Sequence, residues 1–291
     1  MEIIIIFCRV MFASFANVLQ KKLANQSHHP LFIVMASYTL LSVISLPILL
    51  SLPVSHLSEY FWINIVLAAL LDMAGTLFLV FSLSKTDLSV FGPLNAYKIV
   101  ISMLLAMLFL NEIPSLQGFL GISVIIIGSF FLMRGTAKKT NQQSLFLLFT
   151  NRGVQYRFLS ILLFSIGTLP LKNAVMVGGA LTTTTLWSLI GFPLAMLSYL
   201  FFSKKKEQPL LQKVIPALPQ LGYLAISLFL MQYLTMIVLS ELLIAYSLAL
   251  FQFSMVLQVF LGYRIFKEQN IKSRLIACLI MAIGSLLVLN A

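Results

Sequence analysis

Residues 84–129 read SKTDLSVFGPLNAYKIVISMLLAMLFLNEIPSLQGFLGISVIIIGS, and residues 240–285 read SELLIAYSLALFQFSMVLQVFLGYRIFKEQNIKSRLIACLIMAIGS. Laid with Ser84 on Ser240, the segments share Leu94/Leu250, Val100/Val256, Leu105/Leu261, Glu112/Glu268 and the closing Ile127-Gly128-Ser129 over Ile283-Gly284-Ser285. Apolar helices match by chance, so the identities alone carry little. The order of features carries more: a serine, an apolar run, a glutamate, a short connector, and a second apolar run ending Ile-Gly-Ser. The first runs of the two halves also correspond, with Asn17-Val18-Leu19-Gln20-Lys21 set against Thr168-Leu169-Pro170-Leu171-Lys172. A membrane chain made of two copies of one unit is the usual chassis of a transporter, because similar halves can rock about a site held between them.

Composition agrees about the solvent. Of the 291 residues 60% are hydrophobic and 9% charged, against about 25% charged in a soluble domain. Breaks at polar, Gly and Pro clusters give ten runs of bilayer length, roughly 3–20, 30–52, 61–83, 88–110, 115–133, 157–177, 182–202, 214–238, 243–265 and 273–290. The first lacks a basic leader and a small-residue cleavage site, so it reads as a span and not a signal peptide. The longest polar connector, 134–156, divides them five and five. An odd number of spans per repeat sets the second copy upside down relative to the first. The expected fold is therefore an all-α membrane protein, ten transmembrane helices as an inverted five-plus-five repeat. Residues 1–140 form the first unit, 141–156 the central connector and 157–291 the second unit.

The formal charge of +11 does not read as a nucleic-acid footprint, because the charges sit in short connectors. Sixteen of the nineteen Lys and Arg, among them Lys21, Arg157, the Lys204-Lys205-Lys206 run, Lys267 and Arg274, fall in connectors after odd-numbered spans. The positive-inside rule puts those connectors in the cytoplasm and both termini outside. The expected location is the bacterial inner (cell) membrane.

With Gly92-Pro93, Leu110-Asn111-Glu112-Ile113-Pro114, Gln117-Gly118 and Gly128-Ser129, and a second copy from Ser240 to Ser285, the chain resembles the EamA-type members of the drug/metabolite transporter superfamily. The resemblance implies a ten-helix carrier whose central cavity is lined by spans 1–4 and 6–9, with spans 5 and 10 peripheral. It also implies transport of a small organic solute, commonly by export or exchange. The second copy departs from the pattern at Asn270, in place of the proline, and at Arg274, in place of Gly118. Gly118, Gly121 and Gly128, and Ala277, Gly284 and Ser285, form small-residue stripes that let helices approach closely in lipid. Glu112 and Glu268, at span ends, read as helix-end polar contacts.

Three ionisable residues, Arg9, Asp72 and Lys98, lie inside apolar runs. Each costs about 2.5–3.5 kcal/mol at a helix centre on insertion scales, so each must face protein or water. Three readings stand side by side: an ion pair that fixes helices, an anion or carboxylate site using the surplus positive charge, and proton or cation coupling through Asp72. Helical spacing places Phe91, Asn95, Lys98 and Ser102 on one face, and the repeat turns that face into Ser247, Phe251, Ser254 and Gln258. Thr76 shares the Asp72 stripe, Gln232 and Thr235 supply polar groups in span 8, and Trp187 precedes Gly191 and Pro193, which can bend that helix. Tyr97 and Gln252 fall off the proposed face. The candidate solute-binding residues are therefore Arg9, Asp72, Thr76, Asn95, Lys98, Ser102, Trp187, Gln232, Ser254 and Gln258.

Other classes fit less well. His28, His29 and His56 are all in connectors without further ligands, and Cys8 and Cys278 lie apart in apolar runs, so no metal, cofactor or redox site is expected. No catalytic triad and no Gly-rich phosphate loop is evident, which argues against an enzyme and against direct ATP drive. A channel would want rings of charge or a filter loop. A flippase for a lipid-linked intermediate is the nearest alternative. The expected partners are a small-molecule substrate and the lipid bilayer.

Overall fold

The computed structural model describes residues 2–101, 115–134, 150–203, 210–242 and 244–289. Among them the regular structure is entirely helical. In chain order the helices are α1 (Glu2–Asn25), α2 (Pro30–Leu49), α3 (Glu59–Leu83), α4 (Leu88–Ile101), α5 (Leu116–Arg134), α6 (Arg152–Phe202), α7 (Leu210–Glu241), α8 (Ile244–Phe251), α9 (Phe253–Phe266) and α10 (Ile271–Leu289). Five of these, α1, α2, α3, α6 and α7, are long and apolar enough to cross a bilayer. Ser102, Glu112, the Lys204-Lys205-Lys206 run and most of the central connector lie outside the described residues.

Helix starts follow local chemistry. The His29 side chain accepts from Leu31 N, with Pro30 at the first helical position, where its missing N–H costs nothing. Ser58 accepts from Phe61 N at 3.4 Å, with Glu59 in the first turn of α3. Asn151 accepts from Gly153 N at 2.8 Å, so α6 begins at Arg152, five residues before the start expected from hydropathy.

Helix α6 has 51 residues and would run about 76 Å if straight, far beyond the roughly 30 Å of a hydrocarbon core. It is not straight. Gly179 has φ 73° and ψ 168°, a backbone region essentially open to glycine alone. A Cβ on Gly167 would stand 3.2 Å from Asp72 Oδ1, and Trp187 Nε1 donates to Asp72 Oδ2 at 3.1 Å. A continuous helix would hold residues 167 and 187 about 30 Å apart; here both meet one carboxylate, so the chain doubles back at Gly179. Pro193 sits within the helical second limb, and the reversal falls at Gly179, where a residue without Cβ can take positive φ.

Two large apolar cores form beside two small clusters. One joins α1, α2, α3, α7 and both limbs of α6 through Phe32, Phe61, Ile65, Leu171 and Leu221. The other joins α4, α5, α9, α10 and the start of α6 through Leu94, Ile125, Ile161, Met255 and Met281. Each core mixes helices from both halves of the sequence. Outward faces stay apolar: on α3, Phe61 and Ile65 are buried while Ile63 and Val66 are exposed. In lipid such faces gain nothing by burial, so helices associate through close packing. The small-residue stripes do this between α5 and α10. A Cβ on Gly128 would lie 2.6 Å from Met281 Cγ, and one on Gly284 would lie 2.8 Å from the Gly121 carbonyl oxygen.

Candidate functional site

A cavity of ≈ 160 Å³ opens between the two cores. By the measure of about one water per 10–15 Å³, it holds on the order of ten non-hydrogen atoms. Arg9, Gln20 and Asn17 reach it from α1, Asp72 and Thr76 from α3, Asn95 and Lys98 from α4, Arg157 and Trp187 from the two limbs of α6, and Gln232 and Thr235 from α7. Phe251, Gln252, Ser254 and Gln258 complete it. Among the described lining residues none comes from α5 or α10, which pack together at the periphery.

The charges are held individually. Asp72 is buried, takes the Trp187 indole N–H, and has Gln232 and the Lys98 ammonium beside it. Arg9 Nε donates to Thr235 Oγ1 at 3.1 Å, and its guanidinium carbon lies 3.6 Å from the Phe251 ring centroid. Arg157 Nη2 donates to Asn95 Oδ1 at 2.9 Å, and its guanidinium carbon lies 3.9 Å from the Phe91 centroid. Phe91 and Phe251 are the last helical residues before two helix breaks. In α4 the chain passes from Leu88–Phe91 through Gly92 into a tight 3₁₀ turn, Pro93–Ala96; the second break, at Gln252, separates α8 from α9. When the repeats are superposed on sequence, Gln252 falls on Ala96, the last residue of the 3₁₀ turn, so the two breaks meet only at that edge. They also touch: Gln252 Nε2 donates to the Asn95 carbonyl at 3.4 Å.

An apolar bundle enclosing ionised side chains and two interrupted helices is the anatomy of a solute carrier. Comparison with known proteins bears on that reading at family level. Residues 1–134 match the model of the EamA-like transporter family. The EamA family falls within the drug/metabolite transporter superfamily, and its members are membrane transporters of small solutes. With this match and its apolar helices the chain is an integral membrane protein. A solved crystal structure shares the fold over 98% of this chain and 95% of the other, with TM-score 0.61 and 12% sequence identity. No curated protein matches the chain.

Within this EamA-like architecture, nine of the ten candidate residues, all but Ser102, line the one cavity. Two lining residues overturn sequence expectations. Arg157, counted as a connector charge, is buried in α6 and faces the cavity. Gln252, set off the proposed face, lines it beside Phe251 at the junction of α8 and α9. Ser247 is buried but does not reach the cavity, and Tyr97 packs edge-on against Phe158.

A second polar cluster closes the bundle end where α1, α3 and α9 finish. The buried Glu268 carboxylate accepts from Leu88 N at 2.7 Å, from Ser89 N at 2.9 Å and from the Ser89 hydroxyl. Asp87, at the cap position of α4, makes no such bond with its own side chain; Glu268 caps that helix from the other half of the sequence. Lys21 Nζ lies 3.7 Å and Arg274 Nη1 3.3 Å from the same carboxylate, and Arg274 Nη2 bonds Asp87 Oδ2 at 2.7 Å. Arg274, expected in a connector, is therefore fully buried between two carboxylates. Lys21 Nζ also donates to the Thr86 carbonyl at 2.5 Å, and Lys172 Nζ to the Leu242 carbonyl at 2.6 Å. Under the sequence superposition Lys21 matches Lys172, and Thr86 matches Leu242.

Proposed function

We propose that the chain is a secondary active transporter that moves a small organic solute, such as an amino acid, organic acid or similar metabolite, by alternating access, as an exporter or exchanger. The observation that carries this reading is the meeting of the two broken helices at the cavity, marked by the Gln252–Asn95 bond. Broken helices at neighbouring repeat positions bring backbone groups to a site that two related units enclose. The paired lysine–carbonyl contacts support the ten-span inverted repeat, with 1–140 and 157–291 as its units.

In this mechanism the solute rests among Arg9, Asp72, Thr76, Asn95, Lys98, Trp187, Gln232, Ser254 and Gln258, with Ser102 one turn beyond Lys98 on the same sequence face. Lys98 and the guanidiniums hold anionic groups, and the amides and hydroxyls orient the rest. The Lys21–Glu268–Arg274–Asp87 cluster holds its end of the bundle shut and must part before the cavity opens there. Asp72 is the group placed to exchange a proton or a counter-solute. The orientation with odd-numbered connectors cytoplasmic, in a bacterial inner membrane, stays part of the proposal. Lys21, Arg157 and Arg274 drop out of the charge count because they are buried.

Counterflow into sealed proteoliposomes tests the reading. Wild-type protein is expected to exchange a labelled small solute, and Lys98→Ala, still eluting as folded protein, to lose that exchange. Equal exchange by the variant removes Lys98 from the site. Inversion of labelled lipid without solute flux would make the protein a flippase instead.

A further inference from the structure

The charges facing the cavity do not balance. Arg9, Lys98 and Arg157 bring three cations and Asp72 a single anion, with no other described ionisable side chain save Tyr38 on the lining. The cations crowd one another: Lys98 feels the charge of both Arg9 and Arg157. Asp72 is already engaged by Trp187 and Lys98. Excess positive charge held away from water is costly unless an anion joins it.

The two guanidiniums are built to receive one. Each lies over the aromatic ring that ends a helix before its break, a contact that holds the cation by its face without using its N–H groups. Arg157 is 4% exposed, yet its Nε and Nη1 have no hydrogen-bond partner among the described residues. Buried donors of that strength are nearly always satisfied, and a carboxylate or phosphate matches their fork. An amino-acid zwitterion would leave the charge excess unchanged, and a monoanion would halve it.

We propose that the cavity binds a small dianion of about ten non-hydrogen atoms, a dicarboxylate or a phosphomonoester, with Arg157 as its principal anchor, Arg9 as the second and Lys98 between them. The proposal rests on the carrier reading and narrows its substrate class. Asp72 then positions Lys98 at the edge of the solute site.

The test is thermal unfolding of the purified full-length protein at matched ionic strength with succinate, glycerol phosphate, acetate, alanine or putrescine, since a ligand of the folded state raises its melting temperature. Succinate or glycerol phosphate is expected to raise the midpoint, and whichever does so identifies the anionic group. Alanine and putrescine are expected to leave it unchanged. Arg157→Gln is expected to weaken the dianion by about tenfold or more, with Arg157→Lys retaining part of the affinity. If Arg157→Gln does not fold, the charge selectivity of the wild type decides alone. A wild type that binds and transports alanine or putrescine and ignores both dianions overturns the dianion and keeps the carrier. A wild type that neither binds nor moves any of the five in liposomes overturns the dianion, and the absence of all small-solute counterflow would take the carrier with it.

Discussion

Replacing Glu268 by Gln keeps the side-chain shape and removes the charge at the closed end of the bundle. Two backbone N–H groups, the Ser89 hydroxyl, Arg274 and Lys21 all converge on that carboxylate. The amide offers one acceptor oxygen and turns an NH₂ toward donors. Arg274 keeps only Asp87 as a charged partner. Removing one member of a buried ionic network costs about 3–5 kcal/mol, and the lower end is already a factor of roughly a hundred in an equilibrium. In an alternating-access protein this cost falls on the state shut at this end, so the population moves toward the state open there. The assay is maleimide labelling of Asn17→Cys, a cavity position one turn before Lys21, in a background with Cys8→Ala and Cys278→Ala. Glu268→Gln is expected to accelerate labelling by an impermeant reagent from the Lys21 side by tenfold or more. Labelling at the unmodified rate, whether or not the melting temperature falls, would refute the latch; a fall in melting temperature alone would mean that the cluster only holds the fold.

Two further substitutions test how the scaffold is held. Gly128→Leu places a branched side chain where even a Cβ would stand 2.6 Å from Met281 Cγ, so α5 and α10 must separate; the expected result is loss of monodisperse protein on size exclusion, and a wild-type profile would contradict the close-packing account. Gly179→Ala has open space around its Cβ but keeps the positive φ, so it is expected to cost about 1–3 kcal/mol of backbone strain and to lower the melting temperature. An unchanged midpoint would mean that the reversal of α6 does not depend on that dihedral.

The parts legible in the sequence were those where a residue contradicts its surroundings. Asp72, Lys98 and Arg9 stand out because ions interrupt apolar runs, and all three line the cavity. Arg157 was hidden by the opposite circumstance: it follows a polar connector containing Arg152, where a charge looks ordinary. The signal that finds it is helical phase, since Arg157, Ile161, Phe164 and Thr168 share one stripe and all line the cavity. That stripe lies wholly within the expected run 157–177, whose first residue was counted with the connector. Gln252 was missed because the cavity touches a wider sector of this segment than the single stripe through Phe251, Ser254 and Gln258. Arg274 and Glu268 could not be paired with Asp87 and Ser89 by local pattern, because their partners come from the other repeat unit. The reversal at Gly179 was legible as a gap between two spans, and its place was fixed by the residue that tolerates positive φ.

The central claim is that two related units move about a shared cavity, opening one end as the other shuts. Pulsed electron resonance distances between spin labels at Lys22 and Lys267, both exposed at the Glu268 end, and between labels at Leu50 and Glu241, exposed at the opposite end, test it most directly in the cysteine-free background. On introducing Glu268→Gln the first distance is expected to lengthen and the second to shorten. Distances that stay fixed, or that change in the same sense, would contradict a rocking carrier.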